Sequence, residues 1–210
     1  MHIKDVTVVF ICPDHNDVYT KRKEHMFNLL EGMGVKTFVH YKSGSDQYPI
    51  CLSKAVIDIL EKYIDGPVLI LEDDVEFTGI TEFDFVDDAD AIYLGLSACA
   101  GHPTENIDMG QSQFLPYTEQ QVRIENMLAM HAILYISNRY KQAVIETLSR
   151  NLVDRLQSDV LISRIQRHYK ILANKKPLFY QSAKFNVSSH AQDATDIIIN
   201  DVMHILPREN

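Results

Sequence analysis

Val68-Leu69-Ile70-Leu71-Glu72-Asp73-Asp74 is the stretch that decides the reading. Its four apolar residues follow Gly66-Pro67 and do not alternate, as in a strand covered on both faces rather than a helix. The run then stops in three adjacent acids. In open α/β sheets, ligands sit in the crevice beyond the carboxyl ends of the strands, and that is where these acids fall. Neighbouring carboxylates repel one another and stay ionised at low cost only when a cation lies among them. Oxygen ligands suit Mg²⁺ or Mn²⁺. Such a cation bridges diphosphate oxygens and offsets charge on a departing nucleoside diphosphate. On an extended backbone Glu72 and Asp74 share one face and Asp73 takes the other. One or two carboxylates can then hold metal while the third reaches a ribose hydroxyl or a backbone amide. The bland alternative is a solvated acidic turn.

Upstream of this stretch, Val6 to Cys12 is β-branched and near-continuous, a first buried strand, and Pro13-Asp14-His15-Asn16-Asp17 is a turn. A helix is expected over Lys21 to Glu31, with Met26, Leu29 and Leu30 on one face and Gly32 and Gly34 ending it. Lys36 to Tyr41 reads as a second strand. Leu52 to Tyr63 is amphipathic, with Leu52, Ala55, Val56, Ile59, Leu60 and Tyr63 at helical spacing. Downstream, strands are expected at Ala91 to Leu96, Ala132 to Ile136 and Pro177 to Gln181. Helices are expected after a capping Asn138 and a capping Ser158. Ala98 to Tyr117 reads as a long loop or flap. Strand–helix alternation of this kind gives an α/β fold with a mostly parallel central sheet flanked by helices. All of it fits a single domain of 210 residues, with 1–97 as the nucleotide-binding part and 98–210 as the acceptor-side part.

Composition narrows the function classes. A net charge of −9 lacks the Lys and Arg surplus that a phosphate backbone demands, so nucleic acid is not an expected partner. No apolar run is long enough to span a bilayer, and Met1 to Asp5 does not open a signal peptide. Cys12, Cys51 and Cys99 form no C-x-x-C pair, which argues against a zinc knuckle or a disulfide framework and for a reducing, cytoplasmic setting. The Asn186-Val187-Ser188 sequon has no role in that setting. The polar end Pro207-Arg208-Glu209-Asn210 is compatible with further domains of a longer polypeptide.

The order of motifs resembles the family-25 glycosyltransferases, sugar transferases of lipopolysaccharide and collagen. Ile50-Cys51-Leu52-Ser53-Lys54 resembles their G-C-x-L-S-H segment. Val68 to Phe77 resembles their L-I-L-E-D-D-V strand, and Ile92 to Gly95 their next strand. His131 to Ser137 resembles H-A-Y-x-I-S, and Ser158-Asp159-Val160 their V-D segment. Pro177 to Gln181, with Ser188-Ser189 beyond, resembles P-x-x-x-Q and its tail. These six short matches span about residues 20 to 190. Lys54 stands where the family has His, and Cys12-Pro13-Asp14-His15 departs from its Asn-Leu-Asp. The chain therefore resembles a diverged relative. Small sugar-transferring domains of this type also occur in large DNA viruses.

The resemblance implies a GT-A nucleotide-sugar-binding fold and transfer of a hexosyl or deoxyhexosyl group from a UDP sugar to a hydroxyl of a glycan acceptor. Asp74 would be the main ligand of Mn²⁺ or Mg²⁺, with Glu72 and Asp73 on the ribose or completing the metal shell. Arg22 would meet the diphosphate, for which its planar fork is suited. In the basic run Lys21-Arg22-Lys23 it also reads as a solvated residue. Pro13, Asp14 and Ser53 join the donor side. His190 would complete the metal set as neutral imidazole, with His204 as the alternative. Asp159 is the candidate catalytic base, or simply a helix N-terminal acid. His131 is either structural or on the acceptor side. Tyr41 is the preferred base-stacking residue over Tyr93 and Tyr117, and all three also read as core or rim aromatics.

Two other readings keep the same acids. An Mg²⁺-dependent phosphatase or phosphotransfer enzyme would use Asp14 as nucleophile, although no D-x-D-x-T pattern follows the first strand. A non-catalytic sugar-nucleotide-binding module would keep the fold without turnover.

Overall fold

The two expected repeats of strand and helix at the start of the chain are realised as β1 (Thr7–Cys12), α1 (Asp17–Gly32), β2 (Phe38–Lys42), α2 (Ile50–Lys62) and β3 (Val68–Glu72). The computed structural model describes residues 2–44, 47–80, 85–97, 99–101, 108–153 and 155–182. β4 (Val75–Phe77), β5 (Ala91–Tyr93), β6 (Cys99–Gly101), β7 (Asp108–Gln111), β8 (Gln113–Pro116), β9 (Gln121–Asn126) and β10 (Ala132–Tyr135) follow. Then come α3 (Asn138–Arg150), α4 (Ser158–Gln166), β11 (Ile171–Asn174) and β12 (Phe179–Gln181). The large sheet has the order β2-β1-β3-β10-β5-β11-β9-β8. β1 pairs parallel with both β2 and β3, and β5 parallel with β11; β10 and β9 run against the rest.

Alternate residues of the central strands feed two cores. Val8, Phe10 and Cys12 of β1 join Leu69 and Leu71 of β3 on one side, under Met26 and Leu30 of α1. Val9, Ile11, Val68 and Ile70 face the other side, under α2, α3 and α4 through Val56, Leu60, Val144, Leu148 and Leu161. Each fully buried aliphatic or Phe side chain contributes about 1.5–3 kcal/mol, so β3 is held firmly just before the acids begin.

Helix ends explain several shifts from the expected boundaries. α1 starts at Asp17, within the expected turn, because the Asn16 side chain accepts from the Tyr19 amide at 3.1 Å. Ser137, rather than Asn138, caps α3, since its hydroxyl oxygen accepts from the Tyr140 amide. Ser158 opens α4 without capping it: its hydroxyl lies 2.7 Å from that of Ser53, which ties the first turns of α2 and α4 together. The far end of α2 is held by the buried Lys141 of α3, whose ammonium donates to the carbonyls of Tyr63, Ile64 and Gly66.

The expected flap over Ala98 to Tyr117 is corrected in its described part: Cys99–Gly101 and Asp108–Gln111 pair with each other, and Gln113–Pro116 forms the edge strand β8. The strand expected at Ala91 to Leu96 ends at Tyr93. Pro177 to Gln181 yields β12, which leaves the main sheet and pairs antiparallel with β4 as a separate ribbon. That ribbon joins the sheet where the Leu178 and Phe179 amides both donate to Leu94 O at 2.9 Å. Gly95 is required beside this junction, since a Cβ there would lie 1.9 Å from His131 Nε2. No described helix is long and apolar enough to cross a membrane.

Candidate functional site

β1 is flanked by β2 and β3, so the chain reverses its winding between β1 and β3, the switch point beyond whose carboxyl ends open α/β sheets place their ligand crevice. Glu72, Asp73 and Asp74 stand at that crevice. The Asp73 and Asp74 residues are only 7% and 5% exposed. Arg22 of α1 donates from Nη1 to Asp73 Oδ1 at 2.9 Å. On the other side, Gln181 of β12 donates from Nε2 to Asp74 Oδ2 at 3.2 Å and to Glu72 Oε2 at 3.4 Å. Asp73 thus faces one way and Glu72 with Asp74 the other, although the strand itself ends at Glu72. The Ser182 amide donates to Asp74 O at 2.8 Å and fixes the turn.

The acids are poorly compensated. Asp73 Oδ2 and Asp74 Oδ1 are buried and have no hydrogen-bond partner among the described residues. Burial, then the charge of Asp73, raises the Asp74 pKa to about 6, against the weaker pull of Gln181 and Arg22. Burial, then Asp74, Asp159 and Asp73, raises Glu72 well above the usual carboxylate range. Two buried oxygens left without donors suit a small divalent cation. Among the described residues no group of three His, Cys, Asp or Glu side chains stands ready for one. Mg²⁺-type sites, however, are commonly built from one or two carboxylates plus water and substrate phosphates, so the donor set fits.

Arg22, Glu72, Asp73 and Asp74 are brought together. Asp159, in the first turn of α4, lies close enough for its charge to bear on Glu72 and on Tyr48, and its Oδ1 accepts from the Val160 amide. Pro13 and Asp14 lie on the β1 rim: Pro13 O accepts the Cys12 thiol at 3.1 Å, and Asp14 pairs with Lys42 at 2.8 Å. Tyr41 spends its hydroxyl on Asp58 Oδ2. Ser53 is buried against Ser158 and serves to join two helices.

Other candidates stand away from the crevice. Tyr93 is buried, with its hydroxyl accepting from Gln166 Nε2, so it is no stacking surface. Tyr117 lies just past the edge strand β8, with the Lys170 ammonium over its ring. His131 is 4% exposed, its pKa lowered to about 4 by burial, and its carbonyl accepts from the Glu72 amide. It therefore supports the acidic strand from behind rather than facing an acceptor. His190 and His204 lie outside the described residues.

Two site residues escaped the sequence reading of chemistry. Gln181 ends an expected strand and the P-x-x-x-Q match without a role of its own, and its spacing of 107 residues from Asp74 hides the contact. Tyr48 is 64% exposed beside the start of α2, so its ring is open to a ligand. Burial, then the charges of Asp159 and Glu72, raises its pKa to about 12.

No sequence-family profile matches the chain, and no curated protein sequence matches it. Solved structures do. The inositol-1-phosphate CTP transferase from T. maritima aligns over 98% of both chains at 9% identity, with a TM-score of 0.50. A glycosyltransferase involved in glycosylation of the major capsid of PBCV-1 aligns over 84% of this chain and 92% of its own, at 11% identity and a TM-score of 0.49. A UDP-glucose pyrophosphorylase complexed with UDP-glucose aligns over 84% and 91%, at 8% identity and 0.46. The chain has the mixed α/β, GT-A-like fold of nucleotide-sugar-binding proteins. The solved structures it resembles include glycosyltransferases and sugar nucleotidyltransferases.

Proposed function

We propose that this protein is a metal-assisted glycosyltransferase that moves a sugar from a nucleotide donor, a UDP sugar by preference, to a hydroxyl of a glycan. One observation carries the reading: at the strand-end crevice two adjacent buried aspartates each keep an oxygen without a donor. Burying ionised carboxylates so incompletely satisfied is costly unless a ligand completes them. Asp74 would be the main ligand of the cation, with Glu72 on the same face completing the set and Asp73 on the side of Arg22; when bound, the cation would neutralise developing charge on the leaving diphosphate.

The chain's own residues then divide the remaining work. Arg22 orients Asp73 and presents cationic charge on the donor side of the crevice. Tyr48 offers an exposed ring for the base or a sugar, a better-placed surface than Tyr41. Asp159, on the rim near Glu72, is placed to take the acceptor proton if the transfer inverts the sugar carbon. Residues 1–97 form the donor half and the rest the acceptor half.

Nucleotidyl transfer is the second reading, raised by the fold shared with the CTP transferase. A triphosphate is usually cradled by a glycine-rich loop of backbone amides before a helix. The loop Pro13 to Asp17 here has no glycine and two acids, one tied to Lys42, which favours the diphosphate-sugar donor. The test is a melting-temperature and donor-hydrolysis panel of nucleotide sugars and CTP, with and without Mn²⁺. Stabilisation by UDP with Mn²⁺ that disappears in Asp74→Asn, together with sugar release, supports the transferase. Binding without turnover supports a non-catalytic module, and no shift at millimolar UDP and Mn²⁺ overturns the reading.

A further inference from the structure

Gln181 occupies an unusual position. One amide nitrogen, with two hydrogens to give, reaches two carboxylates of like charge: Asp74 at 3.2 Å and Glu72 at 3.4 Å. Both contacts are long, at or beyond the outer edge of normal N–H···O distances, and so weak. The backbone, by contrast, is fixed. Gln181 stands opposite Val75 in the β4–β12 ribbon, and the next residue's amide donates to Asp74 O at 2.8 Å. Gln181 is exposed and makes no other side-chain hydrogen bond among the described residues, while Asp74 is almost wholly buried with its second oxygen unserved. A neutral amide satisfies acceptors but cancels no charge. A divalent cation does both, and wants the same pair of acids.

We propose that Gln181 is a latch on the acidic tip: its carboxamide holds Asp74 and Glu72 together while no cation is bound, and yields those acceptors when one arrives. Gln181 is thus a positioning residue, and the inference rests on the cation site proposed above. It makes a signed claim. The amide competes with the cation, so removing it weakens the cation-free protein and tightens cation binding. If Gln181 instead lent its carbonyl oxygen to the metal, removal would loosen binding.

The experiment is a calorimetric titration of MnCl₂, without nucleotide, into the full chain and into Gln181→Ala and Gln181→Glu, with melting temperatures recorded before and after. In Gln181→Ala the melting temperature without metal is expected to fall and Mn²⁺ to bind roughly three- to tenfold more tightly, the range set by losing one or two modest hydrogen bonds. Gln181→Glu adds a further negative charge in nearly the same shape and is expected to exaggerate both changes. It also keeps the test alive if the alanine variant folds poorly. Equal or weaker Mn²⁺ binding in the variants, with binding intact in the unaltered chain, overturns the latch and leaves the site standing. No Mn²⁺ binding in any of the three overturns the site and the latch together.

Discussion

Two buried aspartates at opposite ends of the sheet show what satisfaction means for a carboxylate. Asp90 lies just before β5, at the end remote from the crevice. Its Oδ1 accepts from Ser137 Oγ at 2.5 Å and Arg139 Nε at 2.6 Å, and its Oδ2 from Arg139 Nη2 at 2.5 Å and the Lys170 amide at 2.8 Å. Burial alone would raise its pKa; the Arg139, Ser137 and Lys170 hydrogen bonds outweigh it and hold Asp90 below the usual value. Asp74, equally buried, has one long contact from an amide, an unserved oxygen, and a pKa raised to about 6. Asp90 is complete within the fold and closes α3 onto the sheet. Asp74 is incomplete and waits for something from outside.

The contrast breaks most sharply at Asp74. Asp74→Asn is expected to abolish the Mn²⁺-induced rise in melting temperature and to lower sugar transfer by on the order of 10²–10³-fold, the scale of losing one transition-state charge contact. The fold should stay intact by circular dichroism. Asp90→Ala should do the reverse. It strands a serine hydroxyl, a backbone amide and a guanidinium. Arg139 is exposed enough to find water, so a loss of about 2–3 kcal/mol in urea unfolding is expected, with the Mn²⁺ response preserved.

The pH dependence separates the pair by sign. The folded state binds more protons than the unfolded chain between the ordinary Asp value near 3.8 and the raised value near 6. Metal-free protein should therefore lose stability as pH rises through that window, by roughly 1–3 kcal/mol from Asp74. His131, kept neutral by burial down to about 4, pulls the other way over much of the same range. The informative quantity is thus the difference between the unaltered chain and Asp74→Asn, measured by chemical unfolding at pH 4 and pH 6.5. Saturating Mn²⁺ should flatten the slope. Asp90 contributes with opposite sense: its stabilisation is present above the ordinary carboxylate value and is lost as pH falls below it. The smallest effect is expected at the rim. Lys42→Ala removes an exposed ion pair with Asp14 and should change stability by no more than about 0.5 kcal/mol. Unchanged transfer in Asp14→Asn would also retire the phosphatase reading.

The acidic tip was legible because everything that makes it is local: four apolar residues, then three acids, within one stretch of chain. α2 was legible for the same reason, its spacing showing the buried face. The completing contacts are not local. Arg22 meets Asp73 across 51 positions and Gln181 meets Asp74 across 107, and nothing in either neighbourhood announces the pairing. β9 carries a readable alternation, Val122, Ile124 and Asn126 buried between Arg123 and Glu125, but it lies among polar loops that mask it. β6 and β7 pair antiparallel in a sequence with no apolar period to reveal a strand. Asp90 closes the acid-rich stretch Glu82 to Asp90, and only folding shows that it is a structural anchor.

Lys141 and the Ser53–Ser158 pair together fix the α2 side of the proposed donor site. With its tail gripped by an ammonium and its head tied to α4, α2 is a fixed jamb. The β4–β12 ribbon opposite meets the sheet through Leu94 and the short bridge of Gly95 with Phe179. Any side chain at Gly95 would press on the buried His131 ring and loosen that joint, so Gly95→Ala should lower the melting temperature before it alters ligand binding.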